Sequence, residues 1–218
     1  MLDLHIQSVF ADDPGQEAPA ATRERLKGGF PAGTARRMTT LGMLVGNAVA
    51  RVQPLPGDAI VYASGYAESR ALEDFIDSFP SASPTLFQMS IQPSAVQQLM
   101  IGRQCPVGEL MPLSGGALLA FHAIRAAALS PSPRVIVCGG EERGTWLLER
   151  RMASDRAFAF GLVLTREPRE SRGRIGFRAG GPASETACPA LAEFAAALAE
   201  RRPLRWTGAG GEWSVAWT

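Results

Sequence analysis

The chain has 218 residues, 46% of them hydrophobic and 20% charged, with a formal net charge of +1. That is enough material for one sizeable core, it is not the composition of a disordered segment, and the small net charge offers no bulk attraction to nucleic acid. Cys105, Cys138 and Cys188 stand apart with no CxxC pair. They read as reduced thiols rather than a disulfide framework or a metal site. The start, Met1-Leu2-Asp3-Leu4-His5, has no basic-then-apolar leader, and no apolar run nears the roughly 18 residues of a membrane span. The expectation is a soluble, cytoplasmic protein with no membrane or nucleic-acid partner.

In chain order, residues 4–10 alternate as a first strand. Residues 11–35, rich in Pro, Gly, Asp and Ala, read as a surface excursion ending in Thr34, a candidate cap. Met38, Leu41, Leu44, Val45, Ala48, Val49 and Val52 then fall on one helical face, and Pro54 and Pro56 end that helix. Residues 58–65 form a buried strand running into a Ser64-Gly65 turn. The helix over 68–79 keeps Leu72, Phe75, Ile76 and Phe79 in register, 80–84 is a loop, and Pro93 opens a helix closed by Gly102.

Residues 107–113 are the next strand. The helix over 115–129 is apolar on most faces, so it is expected to be buried on several sides. Strands follow at 134–138 and 157–165. After the polar turn over 166–172 come a strand near 174–178, a helix over 189–200, and a hairpin whose arms, 204–206 and 213–217, flank Gly208-Ala209-Gly210-Gly211. Alternating strands and helices define an α/β fold with a mainly parallel or mixed sheet covered by helices. The expected division is a domain over 1–167 with a C-terminal αβ appendix over 168–218 packed on it.

Two motifs stand at the centre. Pro112-Leu113-Ser114-Gly115-Gly116 opens the Ala-rich helix, and residues 134–138 run into Gly139-Gly140-Glu141-Glu142. In this order they resemble the N-terminal half of a β-ketoacyl-acyl-carrier-protein synthase, whose Cys nucleophile starts a buried helix ahead of a strand ending in Gly-Gly-x-Glu. Arg37-Met38-Thr39, residues 60–65, residues 84–87 with Ser90 and Ile91, and residues 160–164 resemble further segments of that family. The resemblance spans about 35–165 and implies a thiolase-like layered fold with a single N-terminal-type repeat.

Ser114 falls at the family's Cys position. The family's two active-site histidines belong to a second half absent from this sequence, which holds only His5 and His122. A Ser needs an adjacent base to attack a thioester, and none is visible. The resemblance therefore implies a chain-length-factor-like relative of fatty-acid or polyketide biosynthesis, including aryl polyene systems. It would be non-catalytic and need no cofactor or metal. It would pair with itself or with a full-length ketosynthase through residues 107–113 and 84–103, with acyl carrier protein as a further partner. Arg143, Arg150, Arg151 and Arg156 form a basic cluster suited to that acidic surface; a solvated face is the plainer reading.

Two other readings stay open: a Ser114-dependent acyltransferase or thioesterase, and a small-molecule module binding CoA esters or nucleotides at Ser64-Gly65 and 114–116. Plainer roles are a capping hydroxyl for Ser114, a buried small hydrophobe for Cys138, and solvation or backbone bonding for Glu141 and Glu142. Trp206, Trp213 and Trp217 read as a packing cluster.

Overall fold

The computed structural model describes residues 2–180, 187–208 and 211–218. Its strands are β1 (Leu2–Asp12), β2 (Ala59–Ser64), β3 (Glu109–Ser114), β4 (Arg134–Glu141), β5 (Phe158–Thr165), β6 (Gly173–Ala179), β7 (Leu204–Gly208) and β8 (Gly211–Trp217). They make one open sheet in the order β3-β2-β4-β5-β1-β6-β8-β7. The sheet is mixed. Only β3-β2-β4 is parallel, and every pairing from β4-β5 onward is antiparallel. The expected hairpin is β7-β8; its two turn residues, 209–210, lie outside the described residues.

The nine helices of the described residues are α1 (Pro19–Lys27), α2 (Ala32–Ala35), α3 (Thr40–Arg51), α4 (Ser69–Asp77), α5 (Pro84–Met89), α6 (Ser94–Arg103), α7 (Leu119–Leu129), α8 (Trp146–Glu149) and α9 (Leu191–Ala199). Two cores lie on opposite faces of the sheet. One joins Ala59, Val61, Val135, Val137, Phe160 and Leu162 to α7 and α9. The other joins Ile60, Tyr62, Ile136, Cys138 and Val163 to α3 and α6. Strict alternation along β2, β4 and β5 sends successive side chains to the two cores. This is why those strands read as unbroken apolar runs.

Several elements depart from the sequence reading. The excursion over 11–35 contains α1 and α2, and α5 occupies what read as loop and helix approach. The cap of α3 is Thr39, whose hydroxyl accepts from the Gly42 N–H at 2.8 Å, and not Thr34. Helix α4 is present but turned over: Ser69, Ala71 and Glu73 are its buried residues, while Leu72, Ile76 and Phe79 are exposed. Helix α7 starts at Leu119, four residues after Gly115, and His122, Arg125 and Leu129 are exposed along it. It is therefore open on one side, where Arg125 and His122 share the surface with the exposed Leu129.

Candidate functional site

The parallel strands β2, β3 and β4 all end on the same side of the molecule, where ligands of open α/β sheets usually bind. A cleft of about 510 Å³ opens there. It is bounded by Gly65 and Tyr66 after β2, Gly115 to Ala117 after β3, Glu141 at the end of β4, Arg156 and Phe158 near β5, and Ala190 to Ala192 at α9. The motif glycines make this geometry. A Cβ on Gly139 would strike the Ala63 carbonyl of β2, and one on Gly140 would strike the Phe158 carbonyl of β5. Glycine lets β4 lie this close to both neighbours.

Glu141 holds the cleft floor together. Its Oε1 accepts the Gly65 N–H at 2.5 Å, and its Oε2 accepts the Ser64 hydroxyl at 3.2 Å and the Tyr66 N–H at 3.3 Å. Burial pushes this carboxyl up to about 7, against the lowering effect of those donors. Glu142 turns the other way and accepts the Leu41 N–H at 3.0 Å, in the first turn of α3. Burial raises it too. Both glutamates are thus bonded to backbone amides at the strand end, and neither is a free acid or base.

Ser114 ends β3, with its side chain exposed, rather than capping α7. Its hydroxyl has no hydrogen bond among the described residues. His5 sits in β1 opposite Thr165 and Arg174. His122 is exposed on α7, its ring edge-on to Phe121 at 5.0 Å. Neither histidine lines the cleft. The structure therefore brings neither histidine to Ser114's hydroxyl. Cys138 is fully buried, and burial pushes its thiol well up; Cys188 is shifted the same way and for the same cause. No group of three or more His, Cys, Asp or Glu side chains suited to a metal occurs among the described residues.

Arg143, Arg150, Arg151 and Arg156 are all exposed. Arg143 and Arg156 share a groove with Asp13, Glu17, Glu142 and Asp155, so charge there is mixed. Trp206 and Trp213 are buried and stacked at 6.2 Å, as a packing cluster requires, and Trp217 donates from Nε1 to the Arg202 carbonyl.

Two residues at this end escaped the sequence reading. Glu68 is buried just before α4 and accepts the Ala95 N–H of α6 at 3.4 Å. Burial pushes it up to about 7. Glu73, fully buried in α4, accepts from the Thr145 and Leu147 N–H groups and the Thr145 hydroxyl. Burial alone would raise Glu73; those donors and Arg70 outweigh it and hold the carboxyl below its ordinary value. Only a polar residue inside an otherwise apolar register hinted at either.

No family model and no curated protein sequence matches the chain. Solved structures do. A ketosynthase (ApeO) in complex with its chain length factor (ApeC) from Xenorhabdus doucetiae contains a chain that matches at TM-score 0.67 and 19% identity, over 99% of this chain and 100% of that one. The ishigamide ketosynthase/chain length factor matches at TM-score 0.58 and 14% identity, over 81% and 67%. The oxazolomycin ketosynthase domain OzmH KS7 of Streptomyces albus JA3453 matches at TM-score 0.50 and 11% identity, over 87% and 48%. The class is therefore a thiolase-like α/β fold of the ketosynthase type. The described residues form one mixed sheet covered on both faces by helices. No helix of the described residues is long and apolar enough to cross a membrane.

Proposed function

We propose that the protein is a chain-length-factor-like partner of an active ketosynthase and carries out no condensation itself. The observation that carries this reading is one of size. The chain and its match in a ketosynthase–chain length factor complex cover each other end to end, whereas only 48% of a ketosynthase domain is covered. With Ser114 at the nucleophile position and neither His5 nor His122 at the cleft, no base stands by to form and resolve an acyl thioester. The pathway we assign is fatty-acid or polyketide assembly of the aryl polyene type, in the cytoplasm.

The edge strand β3 is the surface offered for pairing. It bonds to β2 on one side only, which leaves a row of backbone donors and acceptors open. Pro112 interrupts that row and limits promiscuous pairing. Exposed apolar side chains lie on the helices nearby: Leu118 and Leu129 at the two ends of α7, which packs against β3, and Ile101 on α6. The C-terminal end of α7 and the approach to α6 are fixed to β3, since the Ser130 hydroxyl donates to Glu109 and the Gln92 side chain donates to the Leu113 carbonyl. Arg150 and Arg151, exposed and without an ion pair among the described residues, are the positions offered to an acidic carrier protein.

Co-expression with a ketosynthase from the same gene neighbourhood, followed by size-exclusion chromatography, tests the reading. A one-to-one assembly is expected. A protein that stays monomeric alone and beside the ketosynthase overturns it, and a homodimer that ignores the ketosynthase replaces the partner. Incubation with acyl-CoA or acyl-carrier protein and intact-mass measurement should give no adduct. An adduct lost in Ser114→Ala would establish the acyltransferase reading instead.

A further inference from the structure

Glu141 of β4 and Phe158 of β5 are register partners, so the chain between them leaves the sheet and re-enters it at one point. Residues 142–157 form a closed surface excursion, the kind of loop that packs on its own side chains and often carries function. Its inside is ordered. Gly144, Leu147, Ala153 and Ser154 are buried. The Gly144 N–H donates to the Ser154 carbonyl at 3.0 Å, and the Met152 N–H donates to the Leu147 carbonyl at 2.9 Å, which closes the tip.

One side chain from outside the loop fastens it. Glu73 of α4, fully buried, accepts the Leu147 N–H at 2.7 Å, the Thr145 N–H at 2.9 Å and the Thr145 hydroxyl at 3.0 Å. Arg70 adds a fourth donor at 3.2 Å. A buried carboxylate is stable only when donors meet it in this way. The same bonds leave the loop one place to sit.

The outside of the loop is different. Trp146 and Met152 are 37% and 61% exposed, with Arg150 and Arg151 between them in sequence. Neither arginine has an ion pair among the described residues. Over the loop, four exposed arginines (143, 150, 151 and 156) stand against two exposed acids, Glu149 and Asp155. That local excess of positive charge is larger than the +1 of the whole chain. Holding Trp146 and Met152 in water on a fastened loop gains the free chain nothing. Trp and Arg on a rigid support are the residue types that dominate protein-binding hot spots.

We infer that the tip, residues 146–152, is a docking knob for an acidic protein surface with an apolar hollow, anchored by Trp146 and Met152 and oriented by Arg150 and Arg151, and that Glu73 is the positioning residue that holds it ready. This rests on the partner reading above, and the occupant is the acidic carrier protein named there. Pre-ordering the loop removes part of the entropy cost of association. Charge complementarity favours a protein occupant: two arginines at an anionic membrane contribute about 1 kcal/mol each, a weak hold with only two apolar side chains beside them. The seat adjoins the cleft. Met152 is two residues, at most roughly 7 Å of chain, from Ser154, which lines the cleft with Asp155 and Arg156. A carrier on the tip therefore covers the cleft's rim.

Isothermal titration of the carrier protein from the same gene neighbourhood into this protein, alone and with its ketosynthase, tests the proposal. Trp146→Ala, Met152→Ala and the double change Arg150→Glu with Arg151→Glu should each weaken carrier binding at least about tenfold, and the double change should also flatten its salt dependence. Arg169→Glu, on a distant exposed turn, is the control and should bind as the parent does. Glu73→Gln should quicken exchange of the Thr145 and Leu147 amides and weaken the carrier several-fold while leaving ketosynthase affinity unchanged; a general loss of structure would lower both. A carrier that binds the tip variants as it binds the parent overturns this proposal and leaves the partner reading standing. A carrier that ignores the parent overturns both. Phosphatidylglycerol vesicles that sediment the parent but not Trp146→Ala would put a membrane on the tip and overturn the protein occupant.

Discussion

Ser114 and Ser64 are register partners at the ends of β3 and β2, yet only one of them is held. Ser64 is fully buried and its hydroxyl donates to Glu141; Ser114 is exposed, and its hydroxyl has no hydrogen bond among the described residues. The buried serine is the structural one. Glu141→Ala should therefore cost far more than Ser114→Ala, because it leaves the Ser64 hydroxyl and the Gly65 and Tyr66 amides without an acceptor. At about 1–3 kcal/mol per orphaned group, a loss of roughly 3 kcal/mol or more is expected in urea unfolding. Ser114→Ala should stay within about 0.5 kcal/mol, as surface changes usually do.

Gly139 makes a steeper prediction. Its missing side chain is required by the Ala63 carbonyl of β2, a backbone atom that cannot swing aside. Gly139→Ala must pry β4 from β2 and should cost about 3 kcal/mol or fail to fold, at the upper end of overpacking effects. Gly33→Ala, which meets open space, is the control and should express and melt like the parent.

Helix α4 shows where sequence patterning stops being informative. The spacing of Leu72, Phe75, Ile76 and Phe79 gives the helix correctly, but not which face goes in. Glu73 is drawn inside by amides of Thr145 and Leu147, more than seventy residues away. Phe75 instead packs with Phe79 and Phe87 at 5.4 and 5.3 Å on the outside. The apolar runs of β2, β4 and β5 and the Gly-Gly-Glu motif were legible because local composition alone requires them. The antiparallel course of the sheet after β4 was not, since a buried strand reads the same in either direction. Ser114 was legible as a position and not as an environment. Glu68 was not legible at all, since the amide it accepts from, that of Ala95, is 27 residues away.

Buried carboxyls also set the pH dependence. Glu68 and Glu141 are raised from an ordinary 4.5 to about 7, and burial raises Glu142, Asp58 and Asp74 as well. For acids raised in the folded state, that state binds more protons than the unfolded one between the two values. The contribution of Glu68 and Glu141 is complete below pH 4.5 and is lost as pH rises through about 7, and the other three act in the same direction. Glu17 and Glu73 are lowered and act oppositely; their contribution is lost only as pH falls below 4.5. Stability should thus peak near pH 5 and decline by on the order of 2–3 kcal/mol by pH 8, which is about 5–10 °C in Tm for a chain of this size. Glu68→Gln should flatten much of that decline in a pH series of thermal melts. An equally steep decline in the variant would assign the dependence elsewhere.

The pairing edge can be tested without disturbing the fold. Ile101 and Leu129 are 69% and 72% exposed, so a charge at either site meets water in the free chain and should shift the urea midpoint little. In the complex the same charge would be buried beside β3 without a partner, which is strongly unfavourable. Ile101→Arg and Leu129→Arg should each raise the dissociation constant for the ketosynthase at least about tenfold, equivalent to 1.4 kcal/mol. Isothermal titration at matched stability reads this directly. Phe79→Arg and Phe87→Arg, on the exposed aromatic face of α4 and α5, supply the contrast. If these weaken binding while the α6 and α7 variants do not, the partner sits on the aromatic face and the β3 edge is left to solvent.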